Sequence, residues 1–233
     1  MFKEILAQYI NLRDEQLEQF QKFYDLVIDW NTKINLTAIT DEKEFAIKHV
    51  IDSLTLWDEK KFANVKKILD VGTGAGFPAI PIKIFKPNVE IVLLDSLSKR
   101  VEFLKKVAAE LNLENVTCVH GRAEDLARKN NFRESFDLVT ARAVARLNII
   151  AEYCLPFVKI GGTFAALKGK QFLEEAAEAE KAVKILGGDK IICAEKILPE
   201  IPDTRAVVYI DKKISTPKKF PRKAGTPAKN PLL

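Results

Sequence analysis

Gly72, Gly74 and Gly76 recur at alternate positions directly behind the apolar run Ile68, Leu69, Asp70, Val71, and a helix-compatible segment from Ala79 to Phe85 follows them. The spacing predicts strand, tight turn, helix, with a backbone that a ligand can approach closely because no Cβ stands in the way. A dinucleotide turn spaces its glycines G-x-G-x-x-G and sets a pyrophosphate on the helix N-terminus. Here the third glycine comes one residue early and Phe77 stands behind it. Such a turn suits a ligand that carries an adenosine but no diphosphate, S-adenosylmethionine first among them. The same turn can also do no more than join a strand to a helix.

Other polar residues fall where strands should end. Asp95 closes the apolar run Val89 to Asp95, about twenty residues beyond the turn, where a carboxylate can accept hydrogen bonds from both ribose hydroxyls. Ser96 beside it offers a further polar contact. After a third run, Asn115 to His120, come Gly121, Arg122, Ala123 and Glu124; a backbone N–H or the carboxylate there can read an adenine edge, or the acids simply favour a helix N-terminus. A fourth run leads to Arg142, which can meet the carboxylate of a methionine moiety or an incoming substrate, and a fifth leads to Lys168. Further upstream, His49, Asp52 and Ser53 lie one helical turn apart, either as a hydrogen-bonded helix face or at the mouth of the site.

These positions require an alternating chain. Strands are predicted at Lys67–Val71, Val89–Asp95, Asn115–His120, Phe136–Thr140 and Thr163–Leu167, with helices between them, including Ser98–Leu111 capped by Ser98. Near-continuous apolar strands separated by helices indicate a parallel sheet covered on both faces. Lys190–Lys196 and Arg205–Asp211 are joined too closely for a crossover helix and are predicted antiparallel. The fold class expected is α/β: the Rossmann-like plan of class I S-adenosylmethionine-dependent methyltransferases, a mostly parallel sheet with one antiparallel pair at its end. Residues 1–62 read as an N-terminal helical extension: one helix after an N-cap at Asp14, and a second from about Asp41 to Trp57. Residues 63–214 read as the catalytic domain.

Composition narrows the function classes. The chain has 233 residues, 47% apolar and 30% charged, no signal-peptide pattern and no apolar run long enough to span a membrane, so a cytoplasmic protein is expected. Its two histidines and three scattered cysteines, Cys118, Cys154 and Cys193, show no metal-ligand spacing, and no metal is expected. Residues 215–233 hold Lys218, Lys219, Arg222, Lys223 and Lys229 with no acid, which equals the net charge of the whole chain, +5. With four prolines this tail reads as a solvated, partly disordered end or as a segment that orders against an anionic partner.

Five stretches together resemble one family: NLTAI with KHVIDSL, DVGTGAGFPAIPIKI, LLDSLSKRVEFL, the pair GRAED and TARAVA, and TPKKFPRKAGTPAKNPL. That family is the bacterial small-subunit ribosomal RNA methyltransferase G, historically called glucose-inhibited division protein B. Ala79 departs from its pattern, where glycine is more frequent. The resemblance implies methyl transfer from S-adenosylmethionine to N7 of a guanine in 16S rRNA, with cofactor contacts at Gly72, Phe77, Ala123, Glu124 and Arg142. It implies no catalytic base, only orientation by Arg142 and its neighbours. RNA of the small ribosomal subunit is expected to meet Lys168, Arg205 and the tail residues Lys218, Lys219, Arg222 and Lys223, besides the His49, Asp52, Ser53 face; a monomer is assumed. Two other readings fit the same residues: a small-molecule methyltransferase, and a non-catalytic S-adenosylmethionine-binding assembly factor.

Overall fold

A computed structural model describes residues 2–233. Its centre is one seven-stranded sheet in the order β3-β2-β1-β4-β5-β7-β6. The strands are β1 (Lys67–Val71), β2 (Glu90–Asp95), β3 (Val116–His120), β4 (Phe136–Arg142), β5 (Val158–Lys168), β6 (Gly188–Leu198) and β7 (Ile201–Lys212). The first five pair in parallel, and β7 runs antiparallel to both β5 and β6, as the short connection requires. The chain reverses its strand order between β1 and β4, which opens a crevice beyond their carboxyl ends.

Alternation along each strand separates two cores. Ile68, Ile91, Leu93, Leu138 and Ala165 face one cluster, and Leu69, Val92, Leu94, Val139 and Phe164 face the other. The first cluster is covered by α1 (Phe2–Tyr9), α2 (Asp14–Asn31), α3 (Glu42–Phe45), α4 (Asp52–Leu54), α5 (Ala79–Phe85) and α6 (Ser98–Glu110). The second lies under α7 (Ala123–Leu126), α8 (Leu147–Cys154) and α9 (Phe172–Ile185), and α10 (Thr226–Lys229) packs on α8. Among the described residues no helix is long and apolar enough to cross a membrane.

Local details differ from the sequence reading for physical reasons. Arg13 rather than Asp14 is the N-cap of α2, because the Gln16 carboxamide reaches back to the Arg13 N–H at 3.1 Å. Leu97 rather than Ser98 caps α6, its N–H held by the Asp95 carboxylate at 2.9 Å. The Asp41–Trp57 helix is broken up: between α3 and α4 the residues Ala46–Ile51 wind as a π-helix, a form that recurs at functional sites. Strand β5 starts earlier than expected and absorbs Gly161 and Gly162 as a bulge; Gly161 has φ +81°, and a Cβ on Gly162 would stand 2.7 Å from the Asp137 carbonyl. The tail folds back on the chain, with Lys218, Lys219 and Lys223 left exposed. Phe220 is buried, and Arg133 donates to the carbonyls of Thr216 and Phe220 at 2.7 and 2.9 Å.

Candidate functional site

The glycine turn leaves β1 with all three glycines left-handed, at φ +69°, +61° and +97° for Gly72, Gly74 and Gly76. Their reasons differ. A Cβ on Gly76 would stand 2.6 Å from Ile80 Cγ1, whereas nothing lies within 4 Å of one on Gly74. Gly74→Ala is therefore expected to cost about 1 kcal/mol, the backbone penalty alone. Gly76→Ala should cost more, about 2–3 kcal/mol, through the added overlap with Ile80. Urea denaturation of the two variants checks the order.

Asp95 is fixed by the turn it faces. Gly74 N donates to Oδ2 and Leu97 N to Oδ1, both at 2.9 Å, so each oxygen retains a lone pair for a further donor. Beside it opens a cavity of about 280 Å³ whose lining includes Gly72, Asp95, Ser96, Ala123, Glu124 and Tyr153. Residues from the ends of β1 and β2 and the start of α7 thus meet as predicted from their order. The Glu124 carboxylate accepts from Gly225 N of the tail at 2.9 Å, an engagement invisible in the sequence.

A second cavity, about 550 Å³, adjoins the first and shares Val144 with it; Lys48, His49, Asp52, Arg142, Lys168 and Arg205 are in its lining. Arg142 stands at its base. It donates from Nη1 to the Lys48 carbonyl at 3.2 Å and to Asp52 Oδ2 at 3.4 Å, and from Nη2 to His49 Nδ1 at 3.2 Å. Its guanidinium lies 4.6 Å from the Phe77 ring centroid, and His49 stacks on the same ring at 4.6 Å. Phe77 thus sits in an aromatic cluster with Phe23 and Phe45 and carries Arg142 on its face. The next residue, Ala143, has φ +54°, a conformation costly for a side chain and typical of functional sites.

Burial first, and the Arg142 charge second, pull the His49 pKa down to about 3. The ring is neutral at working pH; its Nδ1 lies 3.2 Å from both Arg142 Nη2 and the Lys48 carbonyl, and its Nε2 is hydrogen-bonded with Thr37 Oγ1 at 2.7 Å. His49→Phe keeps the stacking surface and removes these polar contacts beside Arg142. It is expected to lower kcat about tenfold by loosening Arg142, and no inflection near pH 6.5 should come from this ring in the wild-type rate profile.

Asp52 is buried, which raises its pKa, while Arg142 and Arg205 act in the opposite direction; Arg205 Nη1 lies 3.6 Å from Asp52 Oδ2. Arg205 Nε is buried without a partner. Ser53 turns inward to the His49 carbonyl, at 2.5 Å, and does not line the cavity. Lys168 braces the loop after β4, donating at 2.6 Å to both the Ala145 carbonyl and Glu175. Among the tail residues, Lys218, Lys219 and Lys223 are exposed. Arg222 instead forms an ion pair with the buried Glu152, Nη2 to Oε2 at 2.6 Å.

Asp70 is the residue that sequence reasoning missed. Its carboxylate is fully buried at the start of the glycine turn; Oδ1 accepts from Thr140 Oγ1 at 2.7 Å, and the Thr73 hydroxyl stands close enough to the carboxylate to favour its charged form. Burial pushes its pKa up to about 7. An acid inside an otherwise apolar strand, immediately before three glycines, was the available signal. Gly72, two residues on, lines the smaller cavity, and Val144 packs where its Cβ would stand, at 2.8 Å. Together the two cavities, which meet at Val144, can take a nucleoside in the smaller and a second planar, polar molecule in the larger.

Comparisons with known proteins agree on one family. The model of the family described as rRNA small subunit methyltransferase G matches residues 16–197. Among curated proteins, the ribosomal RNA small subunit methyltransferase G of Exiguobacterium sibiricum is 50% identical over 98% of this chain and 96% of its own length. That of Brevibacillus brevis is 51% identical over 100% of this chain and 98% of its own length. Among solved structures, the S-adenosylmethionine-dependent methyltransferase SibL matches with a TM-score of 0.57 over 86% of this chain and 73% of its own, at 15% identity, a likeness of fold.

Proposed function

The chain belongs to the rRNA small subunit methyltransferase G family, and from that premise we propose that it transfers a methyl group from S-adenosylmethionine to N7 of one guanine in the 16S rRNA of the small ribosomal subunit. The observation that carries the reading is a nucleoside-sized cavity at the glycine turn that meets, at Val144, a larger, arginine-bearing one. The residues present fit the cofactor: Gly72 lines the cavity, each Asp95 oxygen holds one backbone N–H and has room for a further donor, and Ser96, Ala123 and Glu124 border the same space. Asp95 receives the ribose hydroxyls, and Ala123, Glu124 and Ser96 enclose the base. Ionised Asp70 balances positive charge at the turn.

When bound, the cofactor supplies an electrophilic methyl on a sulfonium. Guanine N7 has an in-plane lone pair and no proton to lose, so the chain needs no general base. What it must supply is position. Holding the two reactants in line is worth about 7–11 kcal/mol of barrier. Arg142, locked by His49, Asp52, Lys48 and Phe77, orients the groups at the junction of the cavities, and Arg205 adds a second guanidinium to the lining of the larger one. Lys218, Lys219 and Lys223 meet RNA phosphates, as a monomer in the cytoplasm. The test is incubation of small ribosomal subunits with methyl-tritiated S-adenosylmethionine. Label is expected in the RNA; label confined to protein or small molecules, or none at all, removes the reading.

A further inference from the structure

We propose that the C-terminal segment around Gly225 and Ala228 forms the outer wall of the nucleoside cavity, so that retention of the cofactor depends on a part of the chain whose composition suggests only an RNA arm. The proposal rests on the reading of that cavity as the cofactor's adenosine site. Gly225 and Ala228 line it together with Gly72, Asp95 and Glu124, which come from three different strand ends. The segment is held there by specific bonds. Gly225 N donates to Glu124 Oε1 at 2.9 Å, Arg222 N and Nη2 donate to Glu152 at 2.7 and 2.6 Å, and Arg128 donates to the Pro221 carbonyl.

Glu152 and Phe220 are both buried, and Pro227 is buried beside α8. Arg222 and Glu152 are seventy positions apart, and the buried carboxylate needs that guanidinium, so the pairing fixes where the segment lies. The following turn at Gly225, φ +83°, swings the chain over the cavity mouth. Ala228 lines the cavity and is solvent-exposed, not packed in the core. A small side chain facing a nucleoside-sized space, on a segment anchored by buried charge, closes the base half of the site without filling it.

Because Ala228 is exposed, a larger residue there obstructs the cavity without entering the core. Calorimetric titration of full-length wild type and Ala228→Trp with S-adenosylmethionine, S-adenosylhomocysteine and 5′-methylthioadenosine tests the assignment. Ala228→Trp is expected to weaken all three by about tenfold or more, by the same factor, since all three share the adenosine. Its cofactor-free melting temperature should stay at the wild-type value, and KM for the cofactor should rise. Arg222→Ala should weaken the same ligands, with Arg222→Lys recovering part of the loss. Wild-type affinity in Ala228→Trp overturns the proposal. Failure of the wild type itself to bind any of the three ligands overturns the adenosine reading of the cavity, and the wall with it.

Discussion

Arg142→Ala lowers kcat/KM for methyl transfer by about two to three orders of magnitude, the scale on which misplacing a reacting group is felt. The side chain is 16% exposed and touches the Lys48 carbonyl, Asp52, His49 and the Phe77 ring, so its position is determined from four sides. Lysine keeps the charge and loses the planar fork, and Arg142→Lys is expected to recover less than about a tenth of the lost rate. Folding suffers less. Asp52 retains Arg205 at 3.6 Å, so its carboxylate is not left alone, and a loss of about 1–3 kcal/mol follows. Single-turnover rates on saturating cofactor and subunits separate the two effects. Arg142→Ala working within threefold of wild type would contradict the assignment.

The second large effect is a dependence on pH that wild type conceals. Asp70 has its pKa raised from 3.8 to about 7. Between those values the folded chain binds more protons at this site than the unfolded chain, so stability falls as pH rises through the window, by up to about 4 kcal/mol. His49 acts oppositely: pulled down from 6.5 to about 3, it leaves the unfolded chain with more protons, and stability rises with pH across that interval by a similar amount. The two slopes nearly cancel between pH 4 and 6.5. Asp70→Asn exposes the rising slope, and His49→Phe the falling one. Urea denaturation at several pH values measures both, and the same sign of slope in the two variants would contradict the account. Cofactor affinity adds an independent readout. A cation beside Asp70 favours the carboxylate, so binding weakens below pH 7 by up to about tenfold per unit, and Asp70→Asn loses that dependence.

Much of this architecture is legible from local pattern. Parallel strands buried on both faces read as apolar runs, the glycine spacing excluded a pyrophosphate turn, and the short link between the last two runs, narrowed in the structure to Pro199 and Glu200, fixed the antiparallel pair. What stayed hidden depends on partners distant in sequence. Arg222 looks like one more tail cation until Glu152, an acid on α8, is folded beneath it. Asp70 looks like a strand residue until Thr140 and Thr73 are folded around its buried carboxylate. The π-helical turn that presents His49 differs from an α-helix by less than one residue per turn, too little for hydrophobic periodicity to register over Ala46–Ile51.

The central claim is that one guanine N7 of 16S rRNA receives the methyl group. It is tested most directly by reacting small ribosomal subunits that lack the modification with wild-type protein and S-adenosylmethionine, then cleaving the RNA by chemistry selective for 7-methylguanine. The account predicts strand scission at a single guanine, absent without the cofactor and reduced about a hundredfold in initial rate with Arg142→Ala. Methylated RNA that resists this cleavage, or scission scattered over many guanines, would contradict it.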